Sequence, residues 1–154
     1  MVRPRNKNRP PKTKTHMIKV LTSGGFDPLH VGHIRLFKDA KQLGDELFVA
    51  INGDDWLKRK KGKVFMLEEE RKEIIKSIKY VDEAIIYNLK EDHVGDIILR
   101  LKPHIFAKGG DRTSSNLPPE EIEACKMVGC KIVYGVGGDK IQSSSWLLKN
   151  WEEE

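Results

Sequence analysis

The sequence holds only two cysteines, Cys125 and Cys130, among 154 residues. A disulfide framework or a zinc site needs more Cys or His nearby. The pair therefore reads as two reduced thiols in or near a core, and no metal ligands are assigned. Long apolar runs are missing as well: none approaches the roughly 20 residues that a membrane span requires. The N-terminus is basic but lacks the apolar stretch of a secretory signal. These absences predict a cytoplasmic chain with no membrane association. Aromatic residues make up 7%, and Trp56, Trp146 and Trp151 read as packing groups and not as a stacking platform for nucleic acid. No Gly-x-x-x-x-Gly-Lys-Ser/Thr run occurs, which excludes a P-loop site.

Acidic residues are absent from the first 16 positions, which carry Arg3, Arg5, Lys7, Arg9, Lys12 and Lys14 together with Pro4, Pro10 and Pro11. Such a stretch cannot build a core, so residues 1–16 are expected to be a basic disordered tail. The formal net charge of +5 is thus a property of the tail. The remaining 22 cations and 23 acids nearly cancel. Nucleic acid or an anionic surface is a conceivable partner for residues 1–16 alone.

From residue 17 the pattern alternates. Residues 18–22, 46–51, 84–87, 105–107 and 131–134 read as strands. Between them, helices are expected around residues 34–40, over 68–79, 94–101 and after Pro118-Pro119, with Gly44 and Gly129 as C-caps. A last helix is expected over 143–151, and residues 58–63 (KRKKGK) are expected to form a basic loop. Repeated strand–helix–strand units predict an α/β, Rossmann-like three-layer fold with a five-stranded parallel sheet. Ligands of such sheets bind at the carboxyl ends of the strands.

The loop after the first strand reads Gly24-Gly25-Phe26-Asp27-Pro28-Leu29-His30-Val31-Gly32-His33. Glycines let backbone approach a ligand. His30 and His33 fall at the start of a helix, whose free N–H groups and positive potential bind phosphate and disfavour a charged imidazole. Gly32 between them leaves room for the phosphate.

This segment resembles the signature of the cytidylyltransferase-like nucleotidyltransferases: a glycine turn, Phe-Asp, then His-x-Gly-His. The likeness runs from about residue 19 to 151. Within the family it is similar to the adenylyltransferase domain of ADP-heptose synthases and to glycerol-3-phosphate cytidylyltransferases. The resemblance implies that His30 and His33 stabilise the transferring α-phosphate, that Lys61 is the catalytic lysine before a glycine, and that Asp27 fixes its loop. Arg71 matches an arginine similar to one that contacts the nucleotide.

Lys108-Gly109-Gly110-Asp111 resembles the ADP-heptose synthase version of a base-contacting loop, which favours ATP. Ser143, Ser144 and Ser145 match the serine/threonine run at the last helix. They are also natural helix caps. The arginine that cytidylyltransferases place a few residues earlier is missing, and Lys140 stands there instead, as a point charge and not a bidentate fork.

The implied activity is transfer of a nucleoside monophosphate from ATP or CTP to a phosphorylated small molecule, with release of pyrophosphate. Mg²⁺ would arrive with the nucleotide, and the family implies a homodimer. Three alternatives stand beside it. One is a CTP-using cytidylyltransferase of the glycerol-3-phosphate type. Another is an adenylyltransferase acting on a nicotinamide, flavin or pantetheine phosphate. The third is a non-catalytic nucleotide or nucleic-acid binder that works through its tail.

Overall fold

A computed structural model of the chain describes residues 17–88, 90–91, 93–110 and 112–152. The expected tail and Asp111 lie outside the described residues. The elements in chain order are β1 (Lys19–Gly24), α1 (Val31–Gln42), β2 (Glu46–Asn52), α2 (Asp54–Lys61), α3 (Glu68–Lys76), β3 (Glu83–Tyr87), α4 (Gly95–Leu101), β4 (Ile105–Ala107), α5 (Pro119–Val128), β5 (Lys131–Val133) and α6 (Ser144–Glu152). Five parallel strands lie in the order β3-β2-β1-β4-β5, the α/β Rossmann-like sheet that the alternation predicts.

Strand periodicity divides the core into two faces. Val20 of β1 and Leu47, Val49 and Ile51 of β2 point to one side, where Phe37 and Ala40 of α1 and Ile75 of α3 cover them. Leu21 and Ala50 point to the other, against Ile97 and Ile98 of α4 and Ala124 and Cys125 of α5. Both cysteines are free and buried.

Strand order reverses between β1 and β4, the point where open sheets part and bind ligands. The ladder there is two pairs long, Val20↔Ile105 and Leu21↔Phe106. Beyond it the Thr22 hydroxyl donates to the Ala107 carbonyl at 3.0 Å, so the strands separate over a satisfied buried hydroxyl.

Two local expectations are corrected. The basic run expected as a loop over 58–63 is mostly helix: α2 extends to Lys61 and is capped by left-handed Gly62 (φ 83°). Trp56 and Leu57 bury its inner face, and four cations in its last turn suit the negative end of the helix. Gly44 is not the C-cap of α1; Leu43 is. A Cβ on Gly44 would stand 2.7 Å from Val20 Cγ2 and 2.8 Å from the Ile18 carbonyl, so close packing on β1 requires glycine there. Gly129 does close α5, at φ 71°. Among the described residues no helix is long and apolar enough to cross a membrane.

Candidate active site

The loop leaving β1 starts with a strained aromatic residue. Phe26 has φ 54°, a left-handed conformation that costs a bulky residue about 1–3 kcal/mol. Packing holds it there: its ring meets His33 edge-on at 4.9 Å and Phe37 at 5.3 Å. Asp27 is buried, and its two carboxylate oxygens accept from the Phe65 and Met66 N–H groups, each at 2.7 Å. Asp27 therefore ties the loop before α3 to the loop after β1.

His30 is the N-cap of α1 in extended conformation. The Gly32 N–H donates to His30 Nδ1 at 3.0 Å, and the His30 N–H donates to His33 Nδ1 at 3.2 Å. A nitrogen that accepts carries no proton, so this hydrogen bonding assigns both rings as neutral Nε2–H tautomers. The rings stack with centroids 3.8 Å apart and planes at 25°, and both present Nε2–H as a donor. Burial pushes the His33 pKa down to about 3, helped by His30 and Lys61. Burial also lowers that of His30, with Lys140 adding to the effect. A Cβ on Gly32 would lie 2.8 Å from His30 Cε1. Glycine is needed here to make room for the His30 ring itself, a reason the sequence does not show.

The pair opens into a cleft of about 360 Å³. Gly25, Phe26, His30, Gly32 and His33 form one wall, and Lys61 reaches it from the end of α2. Gly109, Gly110, Ser143, Ser144 and Ser145 line it as well. Ser143 Oγ accepts from the Trp146 N–H at 3.0 Å, the capping bond expected of it. Ser144 Oγ donates to the Pro28 carbonyl at 2.7 Å and so docks α6 on the first loop.

A profile of the cytidylyltransferase-like family matches residues 21–147. The chain belongs to that family. It is 42% identical over 96 residues to the FAD synthase of Pyrococcus horikoshii, covering 62% of this chain and 64% of that protein. It is 42% identical over 141 residues to the FAD synthase of Thermococcus sibiricus, covering 89% of this chain and 95% of that one. The bifunctional protein HldE of Pelobacter propionicus is 39% identical over 121 residues, a match that spans 77% of this chain and 22% of that protein. Among solved structures, a lipopolysaccharide core biosynthesis protein from Thermoplasma volcanium superposes with a TM-score of 0.64 at 34% identity, covering 77% of this chain and 95% of that one.

Two residues expected at the nucleotide by family resemblance are buried and do not line this cleft. Arg71 is fully buried, with 0% exposure. Its guanidinium donates to the carbonyls of Met66 (2.8 Å), Gly25 (2.8 Å) and Asn52 (2.5 Å) and pairs with Asp54 (2.8 Å). It joins the loops after β1 and β2 to the segment before α3. Lys108, also buried, faces an adjoining chamber that Gly24 lines as well. Its ammonium sits 4.6 Å over the Phe106 ring and 3.7 Å from Glu121. Burial lowers its pKa, Glu121 opposes that shift, and Arg112 adds to it.

Arg112 borders the cleft, and Gly137, Gly138, Asp139 and Lys140 line it from the loop after β5, so the lysine that stands in place of the missing arginine does reach the cleft. Gly137 takes φ 88° against the α1 backbone, and a Cβ on Gly110 would stand 2.5 Å from the Gly138 carbonyl. Position after a parallel strand was the available signal for both loops.

Proposed function

We propose that this chain transfers AMP from ATP to FMN, giving FAD and pyrophosphate. The observation that carries nucleotidyl transfer is the stacked histidine pair: two neutral imidazoles at a helix N-terminus, both Nδ1 atoms occupied and both Nε2–H groups available to a phosphate. FAD is FMN joined to AMP through a pyrophosphate, so a chain that makes it by nucleotidyl transfer needs these two substrates. Similarity along nearly the whole chain to a protein named FAD synthase supports FMN as acceptor.

In this reading an FMN phosphate oxygen attacks the α-phosphorus of ATP in line. The new P–O bond forms as the bond to the β-phosphate breaks and pyrophosphate leaves. The attacking oxygen is already ionised, so no general base is required. His30 and His33 donate to the α-phosphate oxygens as charge builds there. Lys61 spans the α- and β-phosphates, and the N-terminal turn of α6 with Ser145 meets the β/γ end. Gly109 and Gly110 lie flat beside the base. Asp139 is the one carboxylate among the described residues lining the cleft. That donor set suits a Mg²⁺ held mainly by phosphate and water, which would neutralise charge on the departing pyrophosphate.

A second reading has its own support. The Lys108-Gly109-Gly110 run and the likeness to HldE favour adenylyl transfer to a sugar 1-phosphate. Mass analysis of products separates the readings when the protein is given Mg²⁺, ATP or CTP, and FMN or a sugar 1-phosphate. FAD from ATP and FMN is the expected result. An ADP-sugar with no FAD would replace the acceptor, and a CMP conjugate would replace the donor.

A further inference from the structure

Beyond His33, under the ends of β1, β2 and β3, a second chamber of about 240 Å³ adjoins the cleft and shares Phe26 and His33 with it. Its inner wall is made by Asn52, Trp56, Tyr87, Lys108 and Glu121, to none of which the transfer chemistry above gives a role. Most of this wall is internally satisfied. The Tyr87 hydroxyl donates to Asn52 Oδ1 at 2.7 Å, and Trp56 meets the Tyr87 ring edge-on at 5.4 Å.

Glu121 differs. It is 4% exposed, and its Oε2 accepts from the Val94 N–H at 3.1 Å, fixing the start of α4. Its Oε1 is buried and has no hydrogen-bond partner among the described residues. The Lys108 ammonium, 3.7 Å away, forms an ion pair with it but stands beyond hydrogen-bond distance. A buried acceptor with no donor is costly, and native structures keep few of them.

We infer that Glu121 is a specificity determinant for the acceptor substrate: its Oε1 takes a hydrogen bond from an N–H or O–H group of a phosphorylated acceptor lodged in the second chamber. This inference rests on reading the histidine cleft as the site of transfer, which places the acceptor's phosphate at His33 and the rest of the molecule in the chamber. FMN brings an imide N–H and the ribityl hydroxyls; a sugar 1-phosphate brings hydroxyls. An acceptor with no such donor leaves Oε1 unpaired and is rejected, because sites built around a hydrogen bond discriminate strongly against analogues that lack it.

The test is Glu121→Gln. The amide oxygen can still accept from Val94, while an NH₂ takes the place of Oε1, so the chamber presents a donor where it had an acceptor. Steady-state pyrophosphate release is measured with ATP and, in turn, FMN, mannose 1-phosphate and glycerol 3-phosphate, alongside thermal melting. With the acceptor that wild type uses, KM for that acceptor should rise roughly 10- to 100-fold, as for loss of one charge-assisted hydrogen bond. KM for ATP should stay within about twofold, because the hydrogen bond removed belongs to the acceptor; melting should fall, because the buried Lys108 ammonium loses its carboxylate partner. An unchanged acceptor KM in a folded variant overturns the inference and leaves the activity standing. Turnover of another acceptor with FMN inert overturns the FMN reading, and the variant is then read on that acceptor. No pyrophosphate from any of the three overturns both.

Discussion

At the scale of single residues, His33 carries two consequences. Its Nε2–H is aimed at the reacting phosphate, so His33→Ala should lower the rate of pyrophosphate release by about 10²–10³, the usual loss for one oxyanion donor. The far-ultraviolet spectrum and melting should change little. A rate within a few-fold of wild type would remove the histidine from the mechanism. The second consequence concerns acid. Burial holds the folded pKa at about 3 against an ordinary 6.5. Between those values the unfolded chain binds a proton that the folded chain refuses. The His33 contribution to stability is therefore complete above about pH 6.5 and is lost progressively as pH falls toward 3. Denaturant titrations at pH 7 and pH 4.5 should show a smaller acid loss for His33→Asn than for wild type, and equal losses would contradict the assignment. Gly32→Ala should act through His30: the added methyl displaces that ring, so turnover should drop while the fold persists.

At the scale of elements, the loops that form the cleft are held from beneath by Arg71. Replacing it with Met removes one partner of a buried pair and strands three carbonyls; the expected cost is about 3 kcal/mol or more, read as a lower denaturant midpoint. Retained stability would mean the loops are fixed by other contacts. This arginine also shows where sequence reading stopped. A charged residue at the start of a helix, in the run Glu70-Arg71-Lys72, has the local pattern of a solvated surface. Its burial depends on three carbonyls and one carboxylate brought in from segments as many as 46 positions away. The strand–helix alternation and the His-x-Gly-His turn were legible because their signals are local: apolar period, glycine, helix start. The basic run reads as a loop because its charges outweigh Trp56 and Leu57, the two buried residues that anchor it as a helix. Lys108 and Glu121 stand 13 positions apart with nothing local to pair them. They meet because α5 folds back over β4, and the second chamber was accordingly invisible.

At the scale of the whole molecule, the sheet places β1 and β4 on either side of the reversal in strand order, and the chemistry collects at that opening. The basic residues 1–16 lie outside the described residues. A chain lacking them should keep its turnover with ATP and FMN within about twofold, because every side chain proposed for transfer lies after residue 24; a large loss would give the tail a part in catalysis. A homodimer is proposed on family grounds, with no interface assigned.

In the proposed transfer the α-phosphate, and no other, is the group attacked. The direct measurement follows the label from [α-³²P]ATP and from [γ-³²P]ATP, each with FMN and Mg²⁺. The α label is expected in FAD and the γ label in pyrophosphate. A γ label on the acceptor, or released as orthophosphate, would contradict it.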